Sequence, residues 1–336
     1  MTNELTDQTQ DDESLSPMVE AFLWTLNRAR EVSRMTSLDE ESLTSFIMSG
    51  VAVSAPLVIN LLGSGSDKSS RDCYWGSFKK NGGAMSSFSE TATGADFALV
   101  IGMPERKVRL AIFQAKKTTK VTTSSTKGCL DVRRGPAETA SGNTQLVMLL
   151  SYGWMLMQVK AGQRLASNCG NGETLKVAQA LRDHWSQKSL VEHRSLCWIH
   201  YVCYAGQDFV TIPLSSIDSK VFDAEFNCSS NVKHALTSDD QNFFELIKMG
   251  LVGGGKGWLT MDADVLTDIL PSLVDLGAVF VVDERGGRDL VNKLEDKFGV
   301  INFVEKMPAP ISTQDQLNNW RERLGKPEPT PSGMAP

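Results

Sequence analysis

A chain of 336 residues that is 41% apolar holds enough material for one large domain or two closely joined ones. Its apolar runs all fall short of the roughly 20 residues that cross a bilayer, and the richest, residues 51–62, is interrupted by Ser54 and Pro56. A net charge of −6 argues against a nucleic-acid partner, but Glu4, Asp7, Asp11, Asp12, Glu13 and Glu20 all precede the first base, Arg28, so the remainder is neutral.

The acidic start lacks the basic residues of a secretory signal, so a soluble, cytoplasmic protein with no membrane partner is expected. The six cysteines form no CxxC pair and the four histidines no HxxxH or HExxH spacing. A zinc site and a disulfide framework are therefore not expected, and the cysteines read as free thiols.

Residues 1–16 are polar and acidic and read as a disordered tail. Val19, Phe22, Leu23 and Leu26 recur at helical spacing and predict a helix over 17–34. A second helix is predicted from Ser37 or Asp39, either of which can cap it, with Leu43, Phe46, Ile47 and Val51 on its apolar face. Residues 64–84 read as an irregular connection. Residues 96–101 and 108–115 read as a β-hairpin turning across 102–107 at Pro104. Seven of the nine residues 118–126 are Thr or Ser, so 118–143 is expected to be a mobile loop or an extended strand edge.

Helix is predicted again over 145–159 and 175–185, the latter with Thr174 as cap, and a buried strand over 196–204. Further helices are expected at 238–249, 264–276 and 287–298, a short strand at 278–283, and a short helix near 314–323 within a proline-rich tail. The predicted class is α/β or α+β, a mixed sheet flanked by helices. The expected organisation is a tail over 1–16, a core over 17–205, a C-terminal α/β region of unknown role over 206–306 and a tail over 307–336.

The chemistry concentrates in the hairpin, residues 94–117. Reflection through its midpoint near residue 105 sets Asp96 opposite Gln114. Gln114 and Lys116 lie two residues apart and share a face, so a carboxylate, a carboxamide and an ammonium group converge where an apolar strand ends. Phosphodiester hydrolysis needs such a set. Asp96 can hold Mg²⁺ (or Mn²⁺), with the Gln114 side-chain oxygen and the Ala115 carbonyl as neutral ligands. Lys116 can orient a water or stabilise the transition state. Glu40 is the candidate second carboxylate, because at about 100° per residue it lies within the arc of Leu43 and Ile47. Glu41 falls about a third of a turn further round, toward solvent. Glu90, six residues before Asp96, is a third candidate. Residues 105–134 carry nine bases against two acids, a charge that can meet a phosphate backbone. Of these, Lys117, Lys120, Lys127, Arg133 and Arg134 are the candidate nucleic-acid contacts.

The run Glu90-Thr-Ala-Thr-Gly-Ala-Asp96-Phe followed by Phe113-Gln-Ala-Lys116-Lys resembles the PD-(D/E)XK nuclease superfamily. It looks closest to Mrr-like, restriction-endonuclease-like branches in which a TGAD strand precedes a QAK strand. The resemblance covers roughly residues 38–205. It implies that Asp96 binds metal, that Gln114-Ala115-Lys116 is the D/E-x-K element with Gln replacing the acid, and that the helix bearing Glu40 and Glu41 supplies a Glu. Gln145 and the Tyr201–Tyr204 strand end also resemble recurring features of those branches. The implied activity is Mg²⁺-dependent cleavage of DNA in anti-phage defence, restriction or repair. Many nucleases of that fold act as dimers or with partners, so a homodimer and a partner protein both stay open. The Gln at 114 leaves a second expectation, a nuclease fold that binds nucleic acid or a protein without hydrolysis.

Other motifs read as structure. Residues 253–257 lack the GxxxxGK[ST] pattern and predict a turn. Asp262, Asp264 and Asp268 fit a helix start better than a calcium loop. His193 and His200 lack an acid at triad spacing.

Overall fold

The computed structural model describes residues 17–36, 38–62, 73–77, 90–103, 105–118, 128–132, 144–162, 171–184, 195–205, 208–227, 232–237, 240–269 and 279–281. The expected tails, Ser37, Pro104, the helices at 287–298 and 314–323, and the bases Lys120, Lys127, Arg133 and Arg134 lie outside them.

Helices α1 (Pro17–Met35) and α2 (Glu40–Leu62) pack together through the apolar positions that set their periodicity: Val19, Phe22 and Leu26 against Leu43, Ile47 and Val51. Asp39 caps α2, its Oδ1 accepting from the Ser42 N–H at 2.8 Å. Phe46, expected on the buried face, is exposed.

An eight-stranded mixed sheet follows, with strand order β10-β1-β2-β3-β5-β6-β8 and β9 also paired to β3. Its strands are β1 (Cys73–Ser77), β2 (Phe97–Met103), β3 (Lys107–Lys117), β5 (Ile199–Ala205), β6 (Asp208–Pro213), β8 (Gln241–Asn242), β9 (Leu259–Asp262) and β10 (Val279–Val281). A separate ribbon joins β4 (Cys129–Leu130) to β7 (His234–Ala235). β3 pairs in parallel with β5, and the other strand pairs of the sheet are antiparallel. Both sheet faces are covered, which is why β2 and β3 read as nearly continuous apolar runs. One face (Ala98, Leu110, Ile112, Tyr201) packs with α4 (Gln145–Lys160) and α6 (Ser219–Phe226). The other (Leu99, Ala111, Phe113, Val202) packs with α1, α2 and α7 (Phe243–Leu251).

Strands β6, β8, β9 and β10, all beyond residue 206, belong to this same sheet. β9 pairs with Lys107–Leu110 of β3, while β5 pairs with residues 112–117 further along the same edge. Several of these elements do not announce themselves in the sequence. β9 is four residues long, burying only Leu259 and Met261, too short for alternation to stand out. β1 falls within the expected irregular connection, and α7 starts at Phe243, not 238, because Asn242 caps it. Thr174, expected as a cap, lies inside α5 (Asn171–His184), buried against Met155. Two short helices also lie among the described residues, the one-turn α3 (Glu90–Thr93) and α8 (Ala263–Ile269).

Candidate active site

The hairpin register is the expected one. Phe97 pairs with Phe113 and the Asp96 N–H donates to the Phe113 carbonyl at 2.9 Å, so Asp96 stands opposite Gln114. α3 and a sharp turn deliver Asp96 to that position. The turn is at Gly94, whose φ is +70°. A Cβ there would come within 2.5 Å of the Gln145 carbonyl oxygen and 2.9 Å of the Leu149 nitrogen. Only glycine allows both the left-handed backbone and this approach to the first turn of α4.

Asp96 Oδ2 accepts two hydrogen bonds, from the Ala115 N–H at 2.6 Å and from Gln114 Nε2 at 2.5 Å. Gln114 Nε2 also donates to the Ala115 carbonyl at 3.0 Å. The amide nitrogen, not the oxygen expected as a ligand, thus faces both Asp96 and Ala115. The Gln114 side chain is wholly buried, and its Oε1 has no hydrogen-bond partner.

Lys116 is 6% exposed and Glu90 7%. Lys116 Nζ lies 4.0 Å from Glu40 Oε1, and Glu40 Oε2 accepts from the Lys117 N–H at 3.2 Å. α2 is pinned over this strand end by Thr44, whose hydroxyl sits 2.8 Å from the buried Tyr204 hydroxyl. Glu40 therefore reaches the site, while Glu41, one position on, is exposed.

Electrostatics set Asp96 apart. Burial and the neighbouring Glu90 carboxylate push it up to about 7, with a smaller push from Glu40; the Ala115 N–H and the Lys116 ammonium oppose them. A buried carboxylate with acidic neighbours gains from an added positive charge. Tyr201, opposite Gln114 in the parallel register, is fully buried and its hydroxyl makes no hydrogen bond. Burial and the fully buried Glu225 of α6 hold that phenol above its ordinary range. Glu225 is not among the sequence-derived candidates. Its four-residue step from Val221 places it on the buried face of α6 and is the signal that could have found it.

A hard cation would set the spacing of these donors. Mg²⁺ takes oxygens at about 2.0–2.1 Å in an octahedron, which sets adjacent ligand atoms about 3 Å apart. The Gln114 head group lies 3.0 Å from the Ala115 oxygen, at that spacing, and 2.5 Å from Asp96 Oδ2, closer than two ligand oxygens would sit. Reversing the amide would make all three atoms oxygens. Among the described residues no three Asp, Glu, His or Cys side chains group closely enough to hold a metal ion. The fit therefore depends on Gln114 and the Ala115 carbonyl, not on carboxylates alone.

The basic segment divides. Arg106 pairs with Asp264 at 3.3 Å and Lys107 with Asp262. Arg109 donates to the Met249 and Gly250 carbonyls at the end of α7. Lys117 Nζ donates to the Leu38 carbonyl at 2.8 Å. With Lys116 beside Glu40, five of the nine bases are thus engaged within the chain. The turn at 253–257 is a packing element: Gly255, at φ +73°, lies against the Arg109 guanidinium. His200 is a core histidine, its Nε2 2.8 Å from the Gly257 carbonyl oxygen.

No protein-family model matches the chain, and no curated protein or solved structure matches it. No helix among the described residues is long and apolar enough to cross a membrane.

Proposed function

We propose that the chain is a Mg²⁺-dependent nuclease of the PD-(D/E)XK type that hydrolyses phosphodiester bonds in DNA, in a cytoplasmic setting of anti-phage defence, restriction or repair. The observation that carries this reading is the convergence of Asp96, Gln114, the Ala115 carbonyl and buried Lys116 at one end of β3, with Glu40 and Glu90 beside them. Asp96, Gln114 and Ala115 would hold the ion, which when bound supplies positive charge against the phosphate and acidifies a water. The protein's own groups do the rest. Lys116, held in a buried setting next to Glu40, offers a cation to the charge that develops on the phosphate. Glu40 ties the end of β3 to α2 and holds the Lys116 ammonium at that end. Glu90 raises the affinity of Asp96 for positive charge. Lys120, Lys127, Arg133 and Arg134 are the bases that would meet the nucleic-acid backbone.

A second reading has one observation in its favour. The amide nitrogen of Gln114 stands where a metal-facing oxygen is needed, which suits a nuclease-type site that binds nucleic acid or a protein partner without cleaving it.

The test is incubation with plasmid, linear and single-stranded DNA and with RNA, in Mg²⁺, Mn²⁺ and EDTA, beside Lys116→Ala. The nuclease reading expects metal-dependent cleavage that the variant lacks. Intact substrates in every metal, with salt-sensitive binding retained, favour the second reading.

A further inference from the structure

We propose that Gln114 is a two-state gate for the cation: its amide group bridges Asp96 and Ala115 while the site is metal-free and turns over when a divalent ion enters, presenting Oε1 to it. The inference rests on the reading that this strand end takes a divalent cation, and concerns how it does so. Asp96 Oδ2 and the Ala115 carbonyl oxygen are both acceptors. Two such oxygens can share a neighbourhood only around a donor or a cation. Gln114 Nε2 carries two N–H groups and gives one to each, at 2.5 and 3.0 Å. It performs the cation's role by hydrogen bonding.

At the other end of the amide no bond opposes rotation. Oε1 is buried and without a hydrogen-bond partner. Buried acceptors are nearly always satisfied, so an unmet one calls for a specific cause. Rotation about the last side-chain bond exchanges Oε1 and Nε2 without moving the rest of the side chain. Three oxygens (Asp96 Oδ2, Gln114 Oε1 and the Ala115 carbonyl) would then meet, and a small hard cation among them would draw Asp96 Oδ2 back from 2.5 Å to the roughly 3 Å of adjacent ligands. Without the ion that arrangement is repulsive, and with it the hydrogen-bonded arrangement is. A glutamate at 114 could not donate, so it would lack the metal-free state and hold the ion more strongly. The glutamine therefore trades affinity for a site that stays ordered while empty.

Two measurements on the full chain test this. The first follows the Gln114 side-chain NH₂ signals by NMR, assigned through Gln114→Glu, in EDTA and during titration with Mg²⁺. Exchange-protected signals in EDTA that shift and lose protection on saturation are expected. The second measures Mn²⁺ binding by electron paramagnetic resonance, with Gln114→Glu expected to bind at least tenfold more tightly and Gln114→Leu at least tenfold more weakly. Amide signals that stay unchanged while Mn²⁺ binds, a Gln114→Glu variant that binds no more tightly, or no Mn²⁺ binding at millimolar concentration each overturn the gate. Turnover of the amide without cleavage of any nucleic acid leaves the gate standing and removes the nuclease reading. Metal-dependent cleavage with an unmoved amide does the reverse.

Discussion

The two ends of β3 treat charge in opposite ways. At the hairpin tip, Arg106 and Lys107 meet Asp264 and Asp262 in exposed pairs supplied by β9 and α8, and Arg109 caps the end of α7. At the far end, eleven residues along at most, Lys116 and Glu90 are buried and Asp96 is pushed up to about 7. The tip is a rich set of charges in water, where pairing is cheap and worth little. At the far end Asp96, Glu90 and Lys116 are held largely out of water, where charges alter one another's protonation and affinity for a cation. Charge density in the sequence points to both ends alike, and burial separates them.

Asp96→Asn should break the chemical end most completely. It keeps the shape and an oxygen for the Ala115 N–H while removing the buried carboxylate. Cleavage should fall by at least about 10²–10³-fold, with stability to urea at pH 7.5 changed by no more than about 1 kcal/mol, since loss of a crowded buried acid offsets loss of its hydrogen bonds.

Two buried groups titrate in opposite senses and sharpen the contrast in EDTA. His200 is lowered to about 4 by burial, from an ordinary 6.5. Between those values the unfolded chain takes up a proton that the native state refuses, so His200 removes stability as pH falls from 6.5 toward 4, on the order of 3 kcal/mol in all. Asp96 has its native value raised from 3.8 to about 7. The native state therefore binds a proton below 7 that the unfolded chain does not, and Asp96 adds stability as pH falls from 7 toward 3.8. Urea unfolding across pH 7.5–4.5 should show a steeper acid loss in Asp96→Asn than in the parent, and a shallower one in His200→Gln.

Arg109→Met should cost about 1–3 kcal/mol through the absence of its hydrogen bonds to the α7 carbonyls, measured by thermal or urea unfolding, with cleavage per folded molecule unchanged. The smallest effects are expected at the exposed pairs. Arg106→Gln and Lys107→Gln should each cost less than about 1 kcal/mol and leave the salt dependence of DNA binding as it was. Replacing Lys120, Lys127, Arg133 and Arg134 by Gln should flatten that dependence by about 0.9 in logarithmic slope for each phosphate that is no longer neutralised. A tip substitution that matched them would move the interface to the hairpin tip.

Legibility followed the same division. The register that opposes Asp96 to Gln114 was readable because reflection through a short turn needs only the hairpin's centre, and Glu40 was readable because it shares the helical arc of Leu43 and Ile47, both buried. The orientation of the Gln114 amide was not, since it depends on two acceptors brought together by folding. Nor were the partners of Arg106 and Lys107, which lie 158 and 155 residues away. Among the elements, the long helices declared their period, whereas β9 and the two-residue β8 owe their conformation to the strands they join.

The most direct test of the central claim compares the Mg²⁺-dependent cleavage rate of Lys116→Ala with that of Arg106→Gln/Lys107→Gln on the nucleic acid that the parent cleaves. Loss of cleavage in the first and a parent-like rate in the second is the expected result. Equal rates in Lys116→Ala and the parent would contradict it and remove the chemistry from this end of β3.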